Sequence, residues 1–287
     1  MATESTPTSP ARLMTDEERQ ARLYEEQVFP LIGQRMVDRL IDGVPLAPHA
    51  QVLQIRCGLG GGTTELLRRL DHASRIINLE NVPALVDRCR ANLEEDKGRV
   101  FFRTQSLATR LTFGDDAFDL VLANVGLAEL AHPDDFFADL FRVARPGAEV
   151  RLASPVRGTW AEFLDVYRDV LVRLGREDAL ASLRGYTASF PEAGAVVHHM
   201  EQAGFHPVTV QRDHWELVFR SAREFFYSPV IEFGPLARWK QIAGKGAEVQ
   251  DTFLAVKQAI DTYFAGQPFG VSIESGLFIG QKPAANR

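Results

Sequence analysis

Cysteine is scarce in this sequence. Only Cys57 and Cys89 occur among 287 residues, so neither a disulfide framework nor a paired-cysteine metal site is available. Both lie in segments that we expect to be buried, which favours a reducing, cytoplasmic setting. His198 and His199 are adjacent on a predicted helix, where neighbouring side chains point about 100° apart and do not share a face. We therefore expect no metal site.

Long hydrophobic runs and an excess of positive charge are also missing. No run approaches the roughly 18 apolar residues of a membrane-spanning helix, and the first residues lack the apolar stretch of a secretory signal. The net charge of −6 and the pI near 5.7 argue against a broad basic surface. We therefore expect neither a membrane nor a nucleic acid as partner. Residues 1–14 are polar and are predicted to form a flexible tail.

Apolar strands and helices alternate strictly over residues 45–155. Strands are predicted at 51–55, 75–80, 100–103 and 118–124, followed by a helix, a turn at Pro146-Gly147 and a fifth strand. This alternation, with nearly continuous apolar strands, predicts a parallel sheet that is covered on both faces. The 45% hydrophobic content is enough for one large core, so we expect residues 15–287 to form a single domain.

The remaining segments are predicted to be additions to that core. A helix pair from Asp16 to Ile41, broken at Pro30, should cover one edge of the domain. Residues 156–192 carry a helical apolar stripe that either faces the core or forms a lid, since ligands bind at the carboxyl ends of such strands. Residues 193–287 supply the final strands and a further helical insertion. Its aromatic run, 225–239, is expected to serve packing or to line a pocket.

A glycine-rich turn follows the first strand, within the segment 50–70. Its glycines are Gly58, Gly60, Gly61 and Gly62. Because glycine lacks a Cβ, such a turn can close tightly and let a ligand touch the backbone. Thr63 or Thr64 then opens a helix whose unpaired N–H groups face the same spot. The pattern is typical of a nucleotide-cofactor site.

This turn resembles the first motif of the class I S-adenosylmethionine (SAM)-dependent methyltransferases, acid-x-Gly-x-Gly-x-Gly, with Gly58 and Gly60 at its second and third glycines. Glu80 ends strand 2 where the family places the acid that binds the cofactor ribose. The segments LTFGDDAFDLVLAN and FRVARPGAEVRL also look like family motifs. The resemblance covers 24–155 well and is nearest to small-molecule enzymes such as the ubiquinone and menaquinone methyltransferases.

The resemblance implies an α/β fold. We expect a Rossmann-like, doubly wound, mostly parallel seven-stranded sheet that ends in an antiparallel strand, with N-terminal helices and helical insertions. It also implies that cofactor contacts come from Gly58, Gly60, Glu80 and Asn124, the last of which ends strand 4 facing the pocket. Asp116 and Asp119 are expected to shape the turn before that strand.

Three other cofactor positions of the family are altered here. The motif's acid falls on Gln54, its first glycine on Arg56 and the adenine-contacting acid on Leu107. Each change alone is harmless, but two lost charge-assisted hydrogen bonds would cost about 1.5–3 kcal/mol each. Arg56 also adds positive charge beside a sulfonium cation. The side chain of Arg56 could reach the surface, bind an anion or pair with Glu80. Pairing with Glu80 would occupy the carboxylate that binds the cofactor ribose in the family.

The sequence offers no strong candidate for a general base. His132 and Glu129 follow strand 4 and are the best placed, although methyl transfer needs mainly positioning. The leading hypothesis is a non-catalytic protein with an impaired SAM site that binds a protein partner or another small ligand. The alternative is an active SAM-dependent methyltransferase for a small hydrophobic or aromatic acceptor. A third is an enzyme whose anionic cofactor is clamped by Arg56.

Overall fold

The computed structural model describes residue 19 and residues 22–130 and 132–284, apart from the side chains of Glu25 and Glu129. The predicted tail, residues 1–14, lies outside this part of the chain. The strands are β1 (Gln51–Ile55), β2 (Arg75–Glu80), β3 (Val100–Thr104), β4 (Phe118–Asn124), β5 (Ala144–Pro155), β6 (Val208–Phe219) and β7 (Phe269–Gln281). The segment Val208–Phe219 forms one continuous strand rather than the two short stretches that its sequence pattern indicated.

These strands form one seven-stranded sheet in the order β3-β2-β1-β4-β5-β7-β6. Strands β1 to β5 pair in parallel, and β7 runs antiparallel to both β5 and β6. The strand order reverses direction between β1 and β4, and such a reversal opens a crevice at the carboxyl ends of the strands. The predicted fold class, a mostly parallel Rossmann-like sheet with one antiparallel strand, is confirmed.

Helices cover the sheet. A π-helix, Tyr24–Gly33, contains Pro30 and continues into α1. The α-helices are α1 (Gln34–Ile41), α2 (Gly61–Arg69), α3 (Pro83–Asn92), α4 (Pro133–Val143), α5 (Ala161–Arg173), α6 (Glu177–Ser189), α7 (Ala193–Gln202), α8 (Ala222–Tyr227), α9 (Pro229–Glu232), α10 (Leu236–Ala243) and α11 (Ala247–Phe264). None of the helices in the described residues is both long and apolar enough to cross a membrane.

Alternation along β1 separates two buried layers. Val52 packs in a core with residues of α1, α2 and α3. Leu53 and Ile55 pack in a second core with residues of α4 and α7. Because successive side chains of a strand point to opposite faces, a continuously apolar strand serves both layers at once. The layers hold β1 rigidly where the glycine turn leaves it.

The N-terminal helix was predicted to cover an edge of the domain, and this prediction was wrong. Helix α1 lies on a sheet face, against β4, β5 and β7. The pair Met36 and Val37, repeated one turn later by Leu40 and Ile41, gives the helix a buried stripe, and Met36 and Leu40 pack against β5 and β7 of the sheet. Buried Arg151 of β5 donates to backbone carbonyls at the end of α1, including Gly43 O at 2.8 Å.

A third core fills a helical cap, which consists of α5, α6 and α8 to α11. Residues 269–274 of β7 extend past the end of β5 and pair only with β6, and α5 packs on this extension. Phe163 stacks on Trp239 with ring centroids 3.9 Å apart, and both side chains are fully buried. The buried Phe225 packs with them, so packing is the role of these aromatic residues. The lid role of residues 156–192 over the glycine turn stays a prediction.

Two carboxylates hold the beginning of the strand that carries Asn124. Asp119 accepts from the backbone N–H of Gln51 at 2.8 Å and from Arg145 at 2.5 Å. Asp116, in a left-handed conformation, accepts from Lys282 at 2.6 Å. Asp119 therefore ties β4 to its neighbours β1 and β5, and Asp116 ties the turn before β4 to the residue that follows β7.

An ion pair ties α1 to the edge strand β6. Arg35 contacts Asp213 with both arms of its guanidinium, at 2.7 and 2.9 Å, and lies over the Trp215 ring. The hydrogen bond from Arg35 holds the pKa of Asp213 below its usual range, and the charge of Arg39 adds to this. A lowered pKa means that the pair stabilises the fold above the unfolded pKa of about 3.9 and is lost as the carboxyl protonates in acid.

We therefore expect Asp213→Asn to lower the free energy of unfolding by about 1 kcal/mol at neutral pH. The difference from the native protein should shrink as the pH falls through the lowered pKa. Urea unfolding followed by circular dichroism at several pH values measures this. Asp251→Asn, on the exposed side of α11, is the control and should change little at any pH. A difference that stays constant into strong acid would contradict the assignment.

Candidate functional site

The glycine turn leaves β1 through a run of left-handed residues. Arg56, Gly58 and Gly60 have φ values of +58°, +55° and +89°. Two features of position 60 require glycine. Its φ is positive, and a Cβ there would lie 2.9 Å from the sulfur of Cys89. At Gly62 a Cβ would lie 2.8 Å from the Gln54 amide nitrogen. The turn is therefore packed tightly from the side of α3 and β1.

Gln54, the residue at the motif's acid position, lies in a buried hydrogen-bond chain. Its amide oxygen accepts from the Thr63 hydroxyl at 2.7 Å, and that hydroxyl accepts from the Asn78 amide at 3.0 Å. All three side chains are buried. Buried polar groups need such partners, because leaving one unsatisfied costs about 1–3 kcal/mol. The amide oxygen of Gln54 thus supports the start of α2.

Thr63 and Asn78 were not recognised as site residues from the sequence. Two features of the sequence could have indicated them: a single asparagine in the otherwise apolar part of the strand RIINLE, and a threonine directly after the last glycine of the turn. Asn78 is the register partner of Gln54 in the neighbouring strand. The hydrogen bonds of this chain join residues 9 and 15 positions apart, so local periodicity could not reveal them.

Glu80, the proposed ribose acceptor, is almost completely buried, with 2% of its surface exposed. One carboxylate oxygen accepts from the backbone N–H of Gly58 at 3.2 Å, and the other accepts from the backbone N–H of Asn81 at 2.8 Å. The same oxygen that binds Asn81 lies 3.5 Å from the guanidinium of Arg56. A buried carboxylate is costly without donors, and these three contacts supply them.

Arg56 lies beside Glu80 at the mouth of the turn. Its backbone N–H donates to Leu79 O at 2.8 Å, which extends the β1–β2 ladder by one residue. Its side chain, 27% exposed, contacts the carboxylate of Glu80 and donates to the side-chain oxygen of Asn81. The predicted pairing of Arg56 with Glu80 is therefore present. It places a fixed positive charge next to the carboxylate that would receive a ribose.

Cys57 lies in the turn and Cys89 in α3, and both thiols are free and buried. A hydrogen bond with the Cys89 thiol, burial and the nearby Glu80 carboxylate raise the pKa of Cys57 well above its usual value. The reactive form of cysteine is the thiolate. A thiol held protonated in this way is a packing group rather than a nucleophile.

The remaining predicted site residues lie around the same edge of the sheet. Half-buried Asn124 ends β4, in register with Ala153 of β5. Leu107, in a turn after β3, and exposed His132, just before α4, both line a cavity of about 350 Å³. The backbone of Glu129 lies in a short 3₁₀ turn, and its side chain is outside the described residues. Their cofactor and catalytic roles stay predictions.

Within the described residues, no group of three or more His, Cys, Asp or Glu side chains is arranged to hold a metal ion. His199 contacts Asp134 at 2.7 Å and stacks on Phe137. This histidine therefore serves to join α7 to α4.

The buried chain below the turn leads to a stability prediction. Thr63→Val removes the hydroxyl that joins Gln54 to Asn78, so we expect the free energy of unfolding to fall by about 1–3 kcal/mol. Chemical unfolding measures the change. Thr64→Val is the matched control, because this exposed neighbour makes one hydrogen bond, to Gly60 O at 3.1 Å. Equal losses of unfolding free energy for the two substitutions would show that the buried hydrogen-bond chain adds no more stability than the single exposed hydrogen bond.

The thiol assignment is tested by chemical modification. We expect both cysteines of the native protein to react with Ellman's reagent at least about a hundredfold more slowly than those of the unfolded chain. The rates are measured by absorbance with and without guanidinium chloride at one pH. Fast modification of either thiol in the native state would mean that the turn opens readily.

Comparison with known proteins finds similarity to methyltransferases. The methyltransferase domain family matches residues 52–147. The methyltransferase GfsG of Streptomyces halstedii is 26% identical over 163 residues, which cover 56% of this chain and 58% of that protein. The demethylmenaquinone methyltransferase of Lactiplantibacillus plantarum is 27% identical over 180 residues, which cover 59% of this chain and 76% of that protein. The match to GfsG thus spans little more than half of that relative.

Among solved structures, the cyclase SpnF is similar with a TM-score of 0.52 and 18% identity, over 91% of this chain and 84% of that one. This likeness supports the fold. The matched residues include most of β1, the glycine turn, Glu80 and β4, and the sheet is mostly parallel with an antiparallel last strand, as the resemblance implied. Sequence and topology together support the class I SAM-dependent methyltransferase family for this chain.

Proposed function

We propose that this protein has the methyltransferase fold with a weakened SAM site, and that it acts by binding a protein partner or another small ligand. The observation that carries the proposal is the contact between Arg56 and Glu80 inside the ribose position. Three donors already contact the Glu80 carboxylate. A ribose hydroxyl would have to share or displace them.

Charge supports the same conclusion. The guanidinium of Arg56 lies beside the position where the family binds a cofactor with a sulfonium cation, and two like charges repel. Leu107 offers no acceptor to an adenine amino group, and the amide oxygen of Gln54 is engaged by Thr63. Two lost charge-assisted hydrogen bonds correspond to a loss of affinity of roughly a hundredfold or more.

An anionic cofactor clamped by Arg56 is not proposed. This guanidinium contacts the side-chain oxygens of Glu80 and Asn81, so an incoming anion would meet a buried carboxylate at the same place. The free, buried thiols fit a reducing compartment, and we propose the cytoplasm as the location.

An active SAM-dependent methyltransferase for a small hydrophobic or aromatic acceptor is the second candidate. It is favoured by the presence of Glu80 and of the left-handed turn at Gly58 and Gly60. The relatives named as methyltransferases add to its support. In this case Arg56 would move aside when the cofactor binds, and backbone amides would hold the cofactor.

Calorimetric titration of the purified protein with SAM, and with its demethylated product, separates the two candidates. We expect a dissociation constant for SAM weaker than about 100 μM. Arg56→Gly should tighten binding at least about tenfold, because it removes the charge and suits the left-handed backbone. Adding Gln54→Asp and Leu107→Asp should tighten it further if the fold tolerates each carboxylate.

Arg173→Gly, an exposed change on α5, controls for unspecific charge effects and is checked for intact secondary structure. Micromolar or tighter binding of SAM by the native protein would favour the active enzyme. If Arg56→Gly leaves SAM binding as weak as before, the Arg56–Glu80 contact is not the obstacle, and the proposed reason for a weakened site is wrong.

A further inference from the structure

We propose that a cavity between α5 and α6 binds a small organic anion with an apolar body, such as an alkyl carboxylate. The cavity has a volume of about 550 Å³, within the range of roughly 300–1,000 Å³ that is usual for small-molecule sites. It is separate from the glycine turn. The inference therefore goes beyond the proposed function and does not depend on whether SAM binds.

The walls of the cavity are mostly apolar. They include Ala161, Leu164, Val172, Leu180, Leu183 and Ala188. The three leucines are buried, whereas Val172 is 60% exposed. Each CH₂ group that leaves water in such a cavity adds to the affinity. An alkyl chain covering Val172 and the leucines would be stabilised in this way.

One wall of the cavity lies just past the carboxyl end of β5. Residues 157–159 line it and follow the strand directly. Thr159 donates its hydroxyl to Glu274 O at 2.8 Å, and the backbone N–H of Arg157 donates to Pro191 O at 2.9 Å. This wall is thus held on one side by β7 and on the other by the chain after α6. Ligands of α/β sheets bind at this edge.

Charged residues at the cavity favour an anion. Three arginines line it, Arg157, Arg168 and Arg184, against one acid, Asp165. Arg157 pairs with Glu192 at 2.6 Å, and Arg168 pairs with Asp165 at 2.9 Å and with Asp169 at 3.5 Å. These side chains are about half exposed or more, and such pairs contribute little to stability, so a ligand carboxylate can compete for the arginines.

Arg184 is the decisive group. Within residues 22–130 and 132–284 it has neither a hydrogen-bond nor an ion-pair partner, although it lines the cavity beside Leu183. A carboxylate at this position would gain a charge-assisted, bidentate contact without displacing an existing acid. A ligand with a polar head at Arg184 and an alkyl chain between the helices uses both features of the cavity.

Calorimetric titration of the whole chain with sodium decanoate, kept below its micelle concentration, tests the proposal. Decan-1-ol and decyltrimethylammonium serve as uncharged and cationic probes of the same chain length. We expect decanoate to bind one to one and at least about tenfold more tightly than either, a difference of about 1.4 kcal/mol. Equal binding of the three probes would refute an anion site, and so would the absence of decanoate binding.

Two variants locate the site. Arg184→Gln should weaken decanoate binding about tenfold and leave decan-1-ol binding unchanged. Ala188→Phe, at an exposed position of α6, should abolish binding by filling the cavity, and circular dichroism checks its fold. Arg173→Gln, on α5 but outside the cavity, is the control. Decanoate binding that is insensitive to Arg184→Gln would overturn the proposal. Titration of the same variant with SAM tests the glycine turn separately, so the two proposals can fail independently.

Discussion

The buried carboxylate of Glu80 is the constraint on which the candidate site depends. With 2% of its surface exposed, it needs donors from the protein itself. Gly58 can donate only because the chain is left-handed at Arg56 and again at Gly58. The hydrogen bonds that the Glu80 carboxylate accepts therefore also hold the shape of the turn. A ligand that bound this carboxylate would have to replace those hydrogen bonds.

Below the turn, amide and hydroxyl groups replace the charge that the family motif would carry. An acid at position 54 would put a second carboxylate close to Glu80, whereas Gln54 forms a neutral chain with Thr63 and Asn78. A neutral chain costs less to bury than an ion. Its effect is to fix the first residues of α2. The departure from the motif thus has a structural consequence, independent of any cofactor.

Much of the fold could be predicted from the sequence, because buried parallel strands have a strong local pattern. The bounds of β2 and β4 agree with the apolar runs, and the family motifs implied the antiparallel last strand. The position of α1 was mistaken, since a helical stripe indicates burial without naming the surface that covers it. The Thr63–Asn78 contact was missed for a similar reason: it joins a residue of α2 to a residue of β2, and no single segment contains both.

The carboxyl edge of the sheet divides into two regions with different physical character. Around Glu80 the groups are polar, buried and paired with one another, so binding there requires exchange of existing contacts. Between α5 and α6 the surface is apolar, partly open and bordered by Arg184, so a ligand would add contacts and break few. Because a fold alone does not determine function, such local differences carry the argument. They favour a ligand that binds beyond β5 over one that binds in the glycine turn.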